Sequence, residues 1–213
     1  MIVNEQAVKD ILEETGSEHL VAATKYVDEK EIEKLEQLGV KYFGENRVQA
    51  FLEKYEKYHG QGHWHFIGTL QTNKVKYIID KVELIHSVNT LKLIKEIEKQ
   101  AKKINKTMDI LLEVNIADEE SKQGFDLHEI DEAMMLLKEC PHIELRGLMM
   151  MAPNIDPEQT RIYFQKTAAL LKQLPHDHPQ YQLDILSMGM SQDYHIALEE
   201  GSTFVRIGRA LFQ

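Results

Sequence analysis

Short apolar runs rich in Val, Ile, Leu and Phe recur along the chain, each followed by a polar stretch whose apolar residues return at helical spacing. Eight runs predict strands: residues 20–24, 41–43, 64–67, 82–87, 110–116, 145–149, 183–186 and 203–207. The stretches between them carry helix signals. Asp28 with Glu31 and Asp126 with Glu129 have capping-box spacing, and Asp156-Pro157 puts a proline in a first helical turn. Ile32, Leu35 and Leu38 form a stripe that stops at Gly39, while Leu91, Ile94, Ile97, Ala101 and Ile104 share one face of a longer helix.

Helix-length connections between buried strands are those of the right-handed βαβ unit, and eight parallel strands close a barrel. The predicted fold class is therefore α/β, a single (β/α)8 TIM-type barrel. An open doubly wound sheet uses five or six strands and leaves two or three runs unexplained. The eighth run ends close to Gln213, with no residues for an eighth crossover helix. Ahead of the first strand, Ala7, Val8, Ile11 and Leu12 make an amphipathic segment, and this N-terminal helix is expected to fill the eighth helix position. With no linker, internal repeat or low-complexity tract, one domain spanning residues 1–213 is expected.

Composition narrows the function. Of 213 residues, 25 are Lys or Arg and 35 are Asp or Glu, a formal charge of −10, and the longest basic run is Lys102-Lys103. Nucleic-acid binding needs clustered cations that displace counterions, so none is expected. No window approaches the ~18 apolar residues of a membrane helix, and the N-terminus has no basic, apolar leader pattern. The single cysteine, Cys140, cannot form an intrachain disulfide, which makes a reducing cytoplasm the expected compartment.

In a barrel, chemistry concentrates where the loops after the strands converge. There the first strand leads to Lys25, the second to Gly44-Glu45-Asn46, the third to Ile67-Gly68 and the fifth to Asn115. The seventh leads to Ser187-Met188-Gly189-Met190-Ser191, the eighth to Arg206-Ile207-Gly208-Arg209. Glycines on adjacent strands let backbone N–H groups crowd an anion, a following helix adds its positive end, and Ser191 adds a hydroxyl, so phosphate is the natural ligand. Lys25 beside it is a Schiff-base candidate, since desolvation or a neighbouring cation activates such an amine. A solvated loop lysine and simple turn glycines are the plainer alternatives. His63 and His65 share a strand face without a third ligand at a telling spacing, so no metal is expected. His176-Asp177-His178 reads as a solvated loop, Met149 to Met151 as packing at the barrel mouth, and Cys140 as no nucleophile.

Several of these segments, in this order and spacing, resemble one family, the pyridoxal phosphate homeostasis proteins, which share a barrel with the N-terminal domain of alanine racemase. They are Val21-Ala22-Ala23-Thr24-Lys25, Tyr42-Phe43-Gly44-Glu45-Asn46, Trp64-His65-Phe66-Ile67-Gly68, Leu70-Gln71 with Asn73-Lys74, and Glu113-Val114-Asn115-Ile116. Further on come Ser121-Lys122-Gln123-Gly124, Arg146-Gly147-Leu148-Met149, Leu186-Ser187-Met188-Gly189-Met190-Ser191 with Asp193, and Gly201-Ser202 followed by Val205-Arg206-Ile207-Gly208. The resemblance implies that Lys25 carries pyridoxal 5′-phosphate as an internal aldimine. It implies that Ser191, Gly208 and Arg209, with Met190 in the same loop, surround the phosphate, that Arg206 faces the pyridine nitrogen, and that Asn46 and Asn115 lie near the ring. A permanently charged arginine there cannot favour a protonated ring nitrogen, which weakens the electron sink. The chain departs from the family at Tyr26-Val27-Asp28, where basic and proline residues are usual, and at its end, Phe212-Gln213, where the family runs on into glycine and a short tail.

The function expected is a non-catalytic pyridoxal phosphate-binding protein of intracellular cofactor homeostasis, monomeric, with pyridoxal-dependent apoenzymes as possible partners. No residue is assigned a catalytic role, because alanine racemases take a second base from a C-terminal domain that has no counterpart after residue 213. Two alternatives stay open. One is a racemase-like pyridoxal enzyme. The other is a lyase or aldolase that uses Lys25 directly on a phosphorylated carbonyl substrate, without the cofactor.

Overall fold

The computed structural model describes residues 1–117 and 123–213, so Ser121 and Lys122 of one motif lie outside the described residues. Its eight strands are β1 (Leu20–Ala23), β2 (Tyr42–Glu45), β3 (His63–Phe66), β4 (Leu84–Val88), β5 (Met108–Glu113), β6 (Ile143–Met149), β7 (Ile185–Ser187) and β8 (Val205–Ile207). All ladders are parallel, in the order β7-β6-β5-β4-β3-β2-β1-β8. The gap between β7 and β8 closes through one bridge, Ser187 to Phe204, with Met188 N–H donating to Phe204 O at 3.1 Å and Arg206 N–H to Gly189 O at 2.9 Å. The result is the expected barrel, nearly closed.

Strand alternation sorts the side chains. Leu20 and Ala22 on β1 pack outward with Phe43, Phe66, Ile110 and Leu112 against the helices. Val21 and Ala23 point inward with Ile67, Leu84, Leu111, Met149 and Phe204. Both faces are buried, so the strands read as continuous apolar runs rather than alternating ones.

The helices are α1 (Glu5–Thr15), α2 (Glu29–Gln37), α3 (Val48–Tyr55), α4 (Val75–Ile78), α5 (Leu91–Lys103), α6 (Ile130–Leu137), α7 (Arg161–Asp177) and α8 (Tyr194–Glu199). On one side of α1, Lys34 of α2 pairs with Glu5 at 3.1 Å; on the other, Tyr194 of α8 donates to Glu14 at 2.8 Å. Ile2 and Gln213 exchange backbone hydrogen bonds of 3.1 and 2.9 Å, and Val3 bridges Phe212. The N-terminal helix therefore stands between α8 and α2, in the eighth helix position.

Local details differ from the pattern where tertiary contacts compete. Asp28 caps α2 by accepting from Glu31 N–H, but the Glu31 carboxylate turns away to take Val3 N–H, leaving half a capping box. The Asp126–Glu129 box is complete and opens a 3-10 turn that leads into α6. Ile104 ends its helix face exposed at the α5 C-cap. The expected loop at 176–178 is instead the end of α7, which continues through Pro175, and His178 is buried. No described helix is long and apolar enough to cross a membrane.

Candidate functional site

The inward parity of the strands persists past their ends and builds one cavity of about 450 Å3 at the C-terminal mouth. Lys25 follows Ala23 by two residues and Asn46 follows Gly44 by two, so each continues an inward-facing row; Arg206 faces inward from β8. Lys25, Asn46, Met190, Ser191, Arg206, Gly208 and Arg209 all line this cavity. The structure does not bring Asn115 to it: its backbone N–H pairs with Phe125 O at 3.0 Å, beside the turn that caps α6, and its Nδ2 reaches Asp126 at 3.4 Å.

The loop after β7 turns at Gly189, whose φ of +92° and 2.5 Å approach of an ideal Cβ to the Ala197 Cβ exclude a side chain. Met190 N–H is already taken by the Asp193 carboxylate at 2.7 Å. The next two N–H groups, of Ser191 and Gln192, have no protein acceptor among the described residues and border the cavity. These donors belong to the turn ahead of the Asp193 N-cap and not to the six-residue α8 that follows. Met151 lies exposed on the rim, whereas Met149 and Met150 are buried as packing residues.

Arg206 forms the cavity floor, 6% exposed, and makes no direct ion pair among the described residues. Burial pushes its guanidinium down to about 10, opposed by the charges of Glu113 and Asp193, so it is cationic at neutral pH. Burial raises the Glu113 carboxyl, with Arg206 and the Asn89 hydrogen bond acting the other way.

Beneath Arg206 a buried polar chain runs down the barrel axis, a feature absent from the sequence reading. Arg206 donates to Ser187 Oγ and to Met150 O, the latter at 2.9 Å. His86 Nδ1 lies 2.8 Å from Ser187 Oγ, and His86 Nε2 lies 3.0 Å from His65 Nδ1. Arginine can only donate, so Ser187 Oγ accepts from Arg206. Two proton orders satisfy the rest: the Ser187 hydroxyl donates to His86 Nδ1 and His86 Nε2 to His65 Nδ1, or His65 Nδ1 donates to His86 Nε2 and His86 Nδ1 to the second lone pair of Ser187 Oγ. Both imidazoles are neutral. Burial, reinforced by neighbouring His63, lowers His65 to about 3, and burial with His65 and Arg206 lowers His86 well below its ordinary value. The readable signal was a histidine on a strand buried on both faces.

Behind the Lys25 turn lies a second buried polar cluster. Glu45 on β2 is fully buried and pairs with Lys54 of α3. Lys54 also donates to Thr24 O at 2.7 Å; Thr24 Oγ1 and Asn46 N–H each donate to the Glu45 carboxylate at 3.0 Å. Lys54 stands three residues after Phe51, a lysine on the core-facing stripe of its helix, which was the available clue. Cys140 is buried and donates to Leu136 O, and burial pushes its thiol up to about 11, the opposite of an activated nucleophile. No cluster of metal-ligating side chains occurs among the described residues.

Comparison with known proteins supplies the family. The family model described as alanine racemase, N-terminal domain, matches residues 4–213. A protein of Aquifex aeolicus named pyridoxal phosphate homeostasis protein is 45% identical over 195 residues, 91% of this chain and 85% of that protein. One of the same name from Pasteurella multocida is 34% identical over 212 residues, 98% and 91% of the two chains. The chain belongs to the pyridoxal phosphate homeostasis protein family. Among solved structures, PipY of Synechococcus elongatus with PLP bound superposes with a TM-score of 0.91 at 28% identity, covering 98% of this chain and 99% of PipY. Alanine racemase of Corynebacterium glutamicum shares the fold, with a TM-score of 0.76 at 15% identity over 98% of this chain and 60% of the racemase. Tyr26, part of the departure noted in the sequence, lies at the cavity rim with its ring 4.8 Å from Lys25 Nζ.

Proposed function

We propose that this protein holds pyridoxal 5′-phosphate as a Schiff base on Lys25 and serves cofactor homeostasis in the cytoplasm as a monomeric, single-domain barrel over residues 1–213. The observation that carries the reading is the convergence of an amine, two unpaired N–H groups and a buried guanidinium on one cavity. Its 450 Å3 lies within the range of small-molecule sites. Asn46 adds a fit test: its buried Oδ1 has no donor among the described residues, as a ligand-binding acceptor would. The relatives' name and the PLP in PipY support the same ligand.

When bound, the cofactor supplies an electrophilic aldehyde and an electron-withdrawing ring. Lys25 would hold the aldehyde end, Ser191 and Gln192 would hold the phosphate with Gly208 and Arg209 alongside, and Arg206 would donate toward the ring nitrogen. Asn115 reaches Asp126 outside the cavity lining and is given no contact with the cofactor. Release to pyridoxal-dependent apoenzymes fits a lysine on an exposed rim, and a cytoplasmic setting fits the single, buried thiol of Cys140.

Borohydride reduction of the protein loaded with pyridoxal phosphate, followed by peptide mapping, is expected to label Lys25 alone, and Lys25→Ala is expected to abolish the visible absorption band. Label on Lys74 or Lys122 instead would move the site. Pyridoxal without its phosphate is expected to bind at least about two decades more weakly, since two charge-assisted hydrogen bonds of ~1.5–3 kcal/mol each are lost. Equal dissociation constants, measured by titration of the absorbance, would remove the phosphate cradle from the assignment.

A further inference from the structure

We infer that the buried Glu45–Lys54 pair is a positioning device, which aims Lys25 and Asn46 at the cavity from behind the barrel wall. This rests on Lys25 being the attachment site. The pair ties down three groups at once: the Thr24 carbonyl, the Thr24 hydroxyl and the Asn46 N–H. The Thr24 carbonyl belongs to the peptide unit whose nitrogen is that of Lys25, so fixing its plane fixes the direction in which the Lys25 side chain leaves the backbone. Lys25 itself is exposed, and no carboxylate pairs with it among the described residues; its geometry comes from the chain beneath it.

An ion pair is an expensive way to fill this space. Glu45 is fully buried and the Lys54 side chain is 12% exposed, so both charges give up most of their hydration, and a well-packed apolar pair is often as stable or more so. Apolar contacts, however, carry no direction. The carboxylate and ammonium together offer acceptors and donors at fixed angles to two strand ends, β1 and β2, that are already in register through Ala23 and Gly44. Thr24 N–H also donates to Gly44 O at 3.0 Å, so the two segments move as one piece. What the pair controls is the approach of the Lys25 amine. Attachment forms a bond from the neutral Nζ to the aldehyde carbon, with both amine protons and the aldehyde oxygen leaving as water, and its rate depends on how often Nζ meets that carbon in line.

The test compares wild type, the apolar double variant Glu45→Leu/Lys54→Met and the conservative Lys54→Arg. Three quantities are read: thermal midpoint, affinity for pyridoxine 5′-phosphate, which lacks the aldehyde, and the stopped-flow rate of Schiff-base formation with pyridoxal 5′-phosphate. The double variant is expected to melt below wild type, because Thr24 O, Thr24 Oγ1 and Asn46 N–H lose partners, yet to bind pyridoxine phosphate within about twofold and to attach the aldehyde on the order of 10²-fold more slowly. Lys54→Arg, which still reaches Thr24 O and Glu45, is expected to recover most of the rate. Should the double variant not fold, Thr24→Val removes the hydroxyl bond alone and is expected to slow attachment several-fold at unchanged pyridoxine phosphate affinity. An unchanged attachment rate in the double variant, or in Thr24→Val where that variant decides, overturns the inference. So does a loss of melting temperature and of both ligands in step, which marks a structural role only. If wild type itself yields no reducible adduct on Lys25, the binding assignment fails instead.

Discussion

Lowering the pH from 6.5 to 4.5 is expected to remove ~5 kcal/mol of unfolding free energy through His65 and His86 alone. Both are buried in the barrel interior, and burial is the first cause of their depressed values, about 3 for His65 and well below the ordinary value for His86. Unfolded, each titrates near ~6.5. Between that pH and about 3 the unfolded chain therefore binds two more protons than the folded one, so stability falls as pH falls. It is fully present above ~6.5, and its slope below approaches ~2.7 kcal/mol per pH unit for two groups. Glu113 works in the opposite sense, since its raised carboxyl favours the fold at lower pH. Arg206 lies above the pair, and Glu18, Glu83, Asp109, Arg146 and Asp184 line the lower mouth that His65 borders. Against a typical total of ~5–15 kcal/mol, the histidine loss brings the protein close to acid unfolding. Urea denaturation at pH 6.5, 5.5 and 4.5 measures the slope, and His65→Gln is expected to halve it. A flat profile would refute the neutral state of His65 and His86 in the fold.

The parts of this molecule that follow from local pattern were legible before its structure. Eight apolar runs give eight strands because a parallel strand must be apolar on both faces, and the inward parity of Val21 and Ala23 carries straight on to Lys25. Seven of the eight residues expected at the site line one cavity, Lys25, Asn46 and Arg206 by that parity and the other four from the loops after β7 and β8. The parts that stayed hidden depend on partners far away in sequence. His86 finds Ser187 across 101 positions and His65 across 21, so its role is set by which strands face each other across the barrel. Lys54 looks like one more helical lysine until α3 folds back on β2. Glu31 has the spacing to complete a capping box, but the incoming N-terminus offers Val3 N–H instead. Asn115 sits at the end of an apolar run like Lys25, yet a bridge from Val114 to Phe125 draws its segment toward the α6 cap.

With its cofactor in place the protein is expected to exchange the α-proton of alanine at or below roughly 10⁻² per second, against the ~1–10³ per second typical of enzymes. Two features act on the same proton transfer. Arg206 offers only N–H donors and is charged at neutral pH, so in the proposed placement it would have no lone pair with which to hold a proton on the ring nitrogen, and the ring would withdraw electrons weakly. The polar chain below leaves that charge in place, because Ser187 and the neutral His86 offer Arg206 no anion. The second feature is the poverty of bases. Among the described lining residues the groups that titrate are Lys25, Tyr26, Asp193 and two arginines. Tyr26 lies against Lys25 and so shares its side of the cavity, and the Asp193 carboxylate is held by Met190 N–H. A proton delivered from the face opposite Lys25 therefore lacks a dedicated donor, and a positioned base or acid is worth ~10²- to 10⁴-fold. Proton NMR in heavy water, run beside chiral analysis of the alanine, reads both exchange and racemisation. Fast exchange with racemisation would make the protein a racemase and defeat the carrier reading; slow exchange with full retention of the absorbance band is what a lysine built to hold and release an aldehyde should give.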